Sequence, residues 1–413
     1  MNESSKRTSL YALGGAIVLC LLVLLGWFVF HQEPPPLHQQ PGKVEKVTPV
    51  APALEPDGNL TNVQTASQTP DSASTNAAAI YRQAFDLFAK FSKDQEFILG
   101  DWRTNVGASV EAELCGKLRP ISDLMRQATA VTNCDWGFDP INNDTKLPPY
   151  LSPARNIARA ALWNAAHCRS NDVAGATDDA LSVLRLGQNI SQGGPIGFLV
   201  GTALQSIVAA FVAQNVGSFG DADILRLTTA FNDPAYEEEA SRAMEQEADM
   251  HDHYAAKLAT MTAAEVEQEF SERAKELAAW VNGLPTNLDQ ATILAAYEQC
   301  IDSERQLAKT LASSSEDAYE AWQKEAAELQ ASNPLAKLLL ENDESFVNRA
   351  QIAAVNRALV VAGLAVADNG ADTLATHPDP SSGQPFVYTE TPDGFQLQSA
   401  YQVYGKPMTM QFK

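Results

Sequence analysis

Between Leu10 and Phe30 the chain runs for 21 residues without a charge, including the apolar stretch Ala16-Ile-Val-Leu-Cys-Leu-Leu-Val-Leu-Leu25. A helix of that length reaches roughly 31 Å at about 1.5 Å per residue, the thickness of a bilayer's hydrocarbon core. Tyr11 and Trp27 stand near its ends, where interfacial aromatics belong. The stretch is longer than the apolar region of a signal peptide, and no small-x-small cleavage site follows it directly. The expected element is an uncleaved transmembrane signal anchor over residues 10–30, with the bilayer as a partner through those residues.

Orientation follows from the flanking charges. Lys6 and Arg7 precede the apolar stretch, and the next basic residue is Lys43. Basic residues stay on the cytoplasmic side. Residues 1–9 are therefore expected in the cytoplasm and everything beyond Phe30 outside. Residues 31–76 read as a tether. Pro34-Pro35-Pro36 opens it, and Pro41, Pro49, Pro52, Pro56 and Pro70 punctuate a Ser/Thr/Gln/Ala-rich stretch with little to bury. As a flexible chain it spans about 40 Å.

The 413-residue chain carries 51 acidic against 29 basic residues, a net charge of −22. This argues against a nucleic-acid partner, whose binding requires Lys and Arg to neutralise phosphates. It argues equally against docking on anionic lipid through a basic patch. Nearly all of the charge lies beyond the tether, much of it between Ala235 and Glu344.

The body, residues 77–370, reads as mainly α. Ile80, Ala84, Leu87, Phe88 and Phe91 recur at helical spacing. Leu151-Ser-Pro-Ala opens a helix with Ser152 expected as N-cap and Pro153 at the first helical position. A polar break at Ser170-Asn171-Asp172 leads to a partner helix carrying Ala176, Ala180, Val183 and Leu184. The two form a helical hairpin, with no second copy at a 34-residue period. Gly197–Val216 is apolar almost all round. Thr202, Gln205, Ser206 and Gln214 would be costly in lipid, so a helix buried by its neighbours is expected. Long amphipathic helices follow from Ala235 to about Ser332, with breaks near Asn282–Pro285 and Ser313–Ser315. A last helix over Ser345–Asp368 is expected to turn Val347, Ala350, Ala354, Ala358, Val361 and Ala365 inward. Residues 371–413 alternate around two turns, Thr391-Pro-Asp-Gly394 and Gly405-Lys-Pro407. They predict a small antiparallel meander of about three strands packed on the helical body.

In this tail, Asp379-Pro-Ser-Ser-Gly-Gln-Pro-Phe-Val-Tyr388 followed by Gly394-Phe-Gln-Leu-Gln-Ser399 resembles the Asp-Pro-x-x-Gly-x-Pro-x-x-Tyr…Ser tail of bacterial pseudopilin-like proteins of type II secretion. Asn76–Ala84, Cys134–Asp139 and Leu151–Arg159 look like segments of one large group of single-pass membrane-anchored bacterial proteins without assigned activity. The likeness covers residues 76–215 and about 345–399; it implies a bacterial inner membrane with the part beyond Phe30 in the periplasm, and no catalytic residue. The stretch after the motif, Ala400–Lys406, carries no carboxylate, so the resemblance brings no calcium site with it.

No His-Glu-x-x-His, Gly-x-Ser-x-Gly, P-loop, Gly-x-Gly-x-x-Gly or Cys-x-x-Cys occurs. The best metal candidates are Glu247 with His251, four apart on one helical face. Asp249 and His253 form a second pair pointing the other way. His167-Cys168 suggests a thiol beside a base, but adjacent helical residues do not face each other. Cys115, Cys134, Cys168 and Cys300 allow three pairings. Cys115–Cys134 is the local one, closing a loop of about 20 residues worth roughly 3 kcal/mol. Asp135, Trp136 and Asp139 form a candidate interaction loop, against the alternative of a Trp wedged between helices. No cofactor is implied. The leading expectation is a membrane-anchored scaffold or protein-interaction module. A hydrolase or metalloenzyme with an unrecognised site, and an accessory protein of a secretion or pilus-like system, stand as alternatives.

Overall fold

The computed structural model describes residues 76–139, 147–169, 172–266, 268, 289–313, 316–340 and 343–413. The expected anchor at 10–30, nearly all of the tether and the expected break at Asn282–Pro285 lie outside the described residues.

The described chain is mostly helical and ends in a small sheet. Helices α1 (Ala77–Phe88), α2 (Lys93–Ile98), α3 (Ala108–Thr129), α4 (Leu151–Trp163), α5 (Val173–Ser191), α6 (Gly194–Gln214) and α7 (Asp221–Phe231) come first. Then follow α8 (Ala235–Ala259), α9 (Gln290–Ser313), α10 (Glu316–Ser332), α11 (Pro334–Leu339) and α12 (Asp343–Asn369). Strands β1 (Val387–Thr391), β2 (Gly394–Val403) and β3 (Lys406–Phe412) close the chain.

One large core joins α1 and α3–α7 to the second half of α12 and the sheet. Its centre is the α5–α6 hairpin. Gly187 and Gly201 stand opposite each other, and a Cβ at Gly187 would sit 3.0 Å from the Gly201 carbonyl oxygen. A Cβ at Gly201 would collide with that of Gly187 and with the Ser191 hydroxyl. Small residues thus let two backbones approach. As expected from its polar residues, α6 is an interior helix: two thirds of its most apolar window is buried, and Gln205 and Ser206 bond to Glu239 and Asn356. Half of the corresponding window of α12, the other helix long and apolar enough to cross a membrane among the described residues, is buried too.

Several elements depart from their expected bounds. α4 starts at Leu151 with Tyr150 at its N-cap rather than Ser152. Pro153 then falls in the first turn, where the N–H it lacks has no intrahelical acceptor anyway. α4 runs on into a π-helical turn, Asn164–Cys168. The inner face of α12 is also wider than the predicted stripe. Leu359–Leu364 are all buried in succession because α6, α7 and the sheet enclose this half, while Ala350, Ala354, Ala358 and Ala365 are half-buried. Gly370, at φ 86°, ends the helix as predicted.

The sheet is antiparallel, in the order β1-β2-β3. Its second turn sits on Tyr404-Gly405, at φ 52° and 73°, one residue earlier than expected. Positive φ at both central residues matches the twist of a two-residue hairpin, and Pro407 falls inside β3, an edge strand where a missing N–H is tolerated. Phe412 buries its ring against Gly363 of α12, where a Cβ would collide with it. Asp379, on the bridge into the sheet, is held by four donors. Oδ1 accepts from the Ser381 N–H and hydroxyl, at 2.9 and 2.8 Å. Oδ2 accepts from the Ser399 hydroxyl at 2.8 Å and the Ala400 N–H at 2.7 Å. The Asp and Ser of the tail motif therefore bracket a loop onto β2, and the chain itself satisfies the carboxylate.

Helices α8 and α9 pair along their length into a second region with its own smaller clusters. One lies at its base, where Phe198 and Phe346 meet Met244, Leu307 and Trp322. The other lies further out, around Tyr254, Leu258, Ile293 and Tyr297.

Candidate functional site

The predicted pair Glu247 and His251 does share one face of α8, and Asp249 and His253 are exposed on the other side. The spacing argument therefore placed all four. What it left out is the facing helix. His251 Nδ1 lies 2.8 and 3.0 Å from the two oxygens of Glu304 on α9, a residue with no solvent exposure. Asp343, at the start of α12, is also buried, and its Oδ2 has no hydrogen-bond partner. Glu247, Glu304 and Asp343 thus surround one imidazole.

The electrostatics follow from this arrangement. Burial alone would push the His251 imidazolium down. The Glu304 hydrogen bond and the charges of Glu304, Glu247 and Asp343 outweigh it and lift the group to about 9. Burial and the neighbouring carboxylates raise Asp343 well above the ordinary carboxylate range. Glu247 is raised by burial and by Glu304, against the opposing charge of His251. Burial and neighbouring charge thus shift His251, Glu247 and Asp343 in the same direction, toward their protonated forms. Among the described residues no group of three or more His, Cys, Asp or Glu is arranged to hold a metal ion; the expected Glu247–His251 pair lies within this buried cluster, with the imidazole hydrogen-bonded to Glu304.

The expected Cys115–Cys134 bridge is replaced by Cys115–Cys168, with an S–S distance of 2.08 Å and Cα atoms 5.5 Å apart. Chain proximity favoured the shorter loop, but the π-helical turn at the end of α4 brings Cys168 against α3. Cys134 remains a half-buried thiol and Cys300 a buried one. Burial pushes both up to about 12, so neither is an activated nucleophile. His167, neighbour of Cys168, contacts the Trp102 carbonyl oxygen through Nε2 at 3.0 Å and stacks on Trp163.

Trp136 is wedged inside, as the alternative reading held. It is 7% exposed, stacks on Tyr150 at 4.3 Å and on Tyr81 at 5.7 Å, and donates Nε1–H to the Asn189 carbonyl at 3.2 Å. The Asn76 side chain bonds both main-chain groups of Asp135, at 2.8 and 2.9 Å. The Asp135 carboxylate accepts from the Gly137 N–H at 2.7 Å. The loop is a staple between α1 and the core, burying Trp136 and leaving Asp135, Gly137 and Asp139 exposed.

Besides Glu304 and Asp343, two more buried acidic groups escaped the sequence reading. Asp179 on α5 has no exposure. It accepts from Asn164 in the π-helical turn at 2.6 Å and pairs with Arg126 and Arg169 at 3.2 and 3.3 Å. Burial still lifts it to about 6, against those partners. Glu239 follows two glutamates at the start of α8 that face the positive end of the helix macrodipole. It turns inward instead, to Gln205 at 3.2 Å, and burial raises it to about 7. No periodicity marks either one, since an acidic residue on a polar-looking face reads as solvated.

No family model, no curated protein and no solved structure matches this chain.

Proposed function

We propose that this chain is a membrane-anchored extracytoplasmic scaffold or protein-interaction module. One observation carries the placement: the Cys115–Cys168 disulfide between α3 and the end of α4. Such bonds persist in oxidising compartments and are rare in the bacterial cytoplasm. That agrees with the orientation read from Lys6, Arg7 and the uncharged stretch at 10–30. The role is supported by β1, an edge strand whose Val387 and Tyr388 are exposed. Sheet edges offer main-chain groups to an added strand.

In intact cells Cys115 and Cys168 should resist alkylation until a reductant is added, and finding both thiols alkylated without reductant would overturn the placement. Crosslinking in membranes followed by affinity capture should recover a specific partner, and the double change Val387→Lys, Tyr388→Lys should diminish it. Capture of nothing specific would remove the interaction role.

A further inference from the structure

A cleft of about 570 Å³ opens between α3, α5, α7 and the start of α8. Its volume falls within the range of small-molecule sites. In a chain of net charge −22, three guanidinium groups from three different helices line it: Arg126 from α3, Arg185 from α5 and Arg226 from α7. Two carboxylates, Asp178 and Asp233, share the lining.

Most of these charges are already committed. Arg226 is paired with Asp178. Arg126 is paired with Asp123 at 3.0 Å and with buried Asp179 at 3.2 Å. Asp233 accepts from Gln188 at 3.0 Å through Oδ2 and from the Ala235 N–H at 2.9 Å through Oδ1. Arg185 differs. Its terminal nitrogens meet two neutral oxygens, Gln188 Oε1 at 3.3 Å and the Thr132 carbonyl at 3.5 Å. Its Nε is buried without a hydrogen bond. Among the described residues no carboxylate lies within ion-pair distance of it.

A second unpartnered group lies in the same wall. Tyr236 is 3% exposed and lines the cleft, and its hydroxyl makes no hydrogen bond. The Arg357 guanidinium stacks on its ring at 4.8 Å. A buried donor left unsatisfied costs about 1–3 kcal/mol, and two of them lie in the wall of this one cleft. Leu181, Leu184 and Ala230 supply the apolar part of the lining.

We propose that this cleft binds a small amphipathic organic anion, its carboxylate or phosphate head on Arg185 and its apolar body against Leu181 and Ala230. The planar guanidinium fork suits both kinds of oxyanion. Arg126 and Arg226, already held by carboxylates, flank the head at little further ordering cost.

Calorimetric titration of the detergent-solubilised full chain tests this with phenyl phosphate, phenylacetate and neutral phenylacetamide. At least one of the two anions should bind and the amide should not. Arg185→Gln should weaken binding about tenfold or more, and Arg185→Lys should retain part of it. If Arg185→Gln does not fold, Arg226→Gln serves instead, with a smaller loss expected because that residue's charge is already shared with Asp178. Three results would each overturn the proposal: equal affinity in a folded Arg185→Gln chain, equal binding of the amide, or no heat from either anion up to about 10 mM, weaker than ordinary small-molecule affinity.

Discussion

The half of the molecule built on the α5–α6 hairpin and the pair α8–α9 are both helical, yet they are stabilised differently. The first has a continuous apolar core, close glycine contacts between helices and a disulfide between α3 and the end of α4. The second belongs to a stretch, residues 235–344, that carries 24 acidic and 8 basic side chains. That imbalance leaves it with self-repulsion to overcome and only small apolar clusters to do so. Where acidic groups enter its interior, they do so as a cluster around His251. The lesson is that a helix pattern alone does not say how a region is held. Apolar packing by itself is indifferent to pH, whereas a pair of helices joined through buried titratable groups answers to it.

The strongest way to break the contrast is to reduce Cys115–Cys168. The chain-entropy model assigns a loop of this length about 4 kcal/mol. Reduction, or the double change to Ser, should lower the thermal midpoint of the α3–α6 core and leave hydrogen exchange in α8–α9 largely unchanged. Equal loss of protection in both would show that the two regions unfold as one.

Leu258→Ala, in the outer cluster of α8–α9, should cost about 2–5 kcal/mol locally. Exchange there should accelerate while the amides of α5 and α6 stay protected. A global two-state loss by calorimetry would contradict that. Gly363→Ala drives a methyl group into the Phe412 ring and should destabilise the docking of the sheet on α12 by about 1–3 kcal/mol. Phe412→Leu in the same background should recover part of this by making room.

The remaining effects are those of pH, and the α8–α9 pair and the C-terminal tail should differ in sign. His251 is raised in the folded state to about 9, and Glu247 and Asp343 are raised as well. Each raised group contributes stability that is full below its unfolded value and lost as pH rises through its folded value. The α8–α9 region should therefore weaken between about pH 6.5 and 9, and His251→Gln should flatten that slope. Asp379 behaves oppositely. Burial pushes its carboxyl up, but the hydrogen bonds from Ser381, Ala400 and Ser399 hold it below the ordinary range. Its contribution is lost as pH falls through the acid range, and Asp379→Asn should remove that acid sensitivity from the tail. Exchange rates across a pH series read both signs in one experiment.

Much of this contrast could be read from residue order, and the misses have common causes. The α4–α5 hairpin, the interior character of α6, the stop at Gly370 and the three-stranded meander all follow from local spacing, turn chemistry and small residues. The inner face of α12 was drawn too narrow because periodicity assumes a single burying partner, and three elements enclose it. The Glu247–His251 pairing was correct in spacing and incomplete in chemistry, since Glu304 is 53 residues away from His251 and Asp343 is further still. Trp136 in a loop beside two aspartates could be exposed or wedged; the Tyr150 and Tyr81 rings that receive it decide the matter.

Residue order alone determined the helical class, the C-terminal sheet, the uneven distribution of charge and the aliphatic character of the core helices. These depend on neighbours within a turn or two, where hydrogen bonding and apolar spacing act directly. Tertiary structure alone decided which cysteines join, which carboxylates are buried and which arginine of the cleft is left without an acid partner. Each of those outcomes is a balance between burial and one specific contact from a distant segment, and no local pattern records which segment arrives.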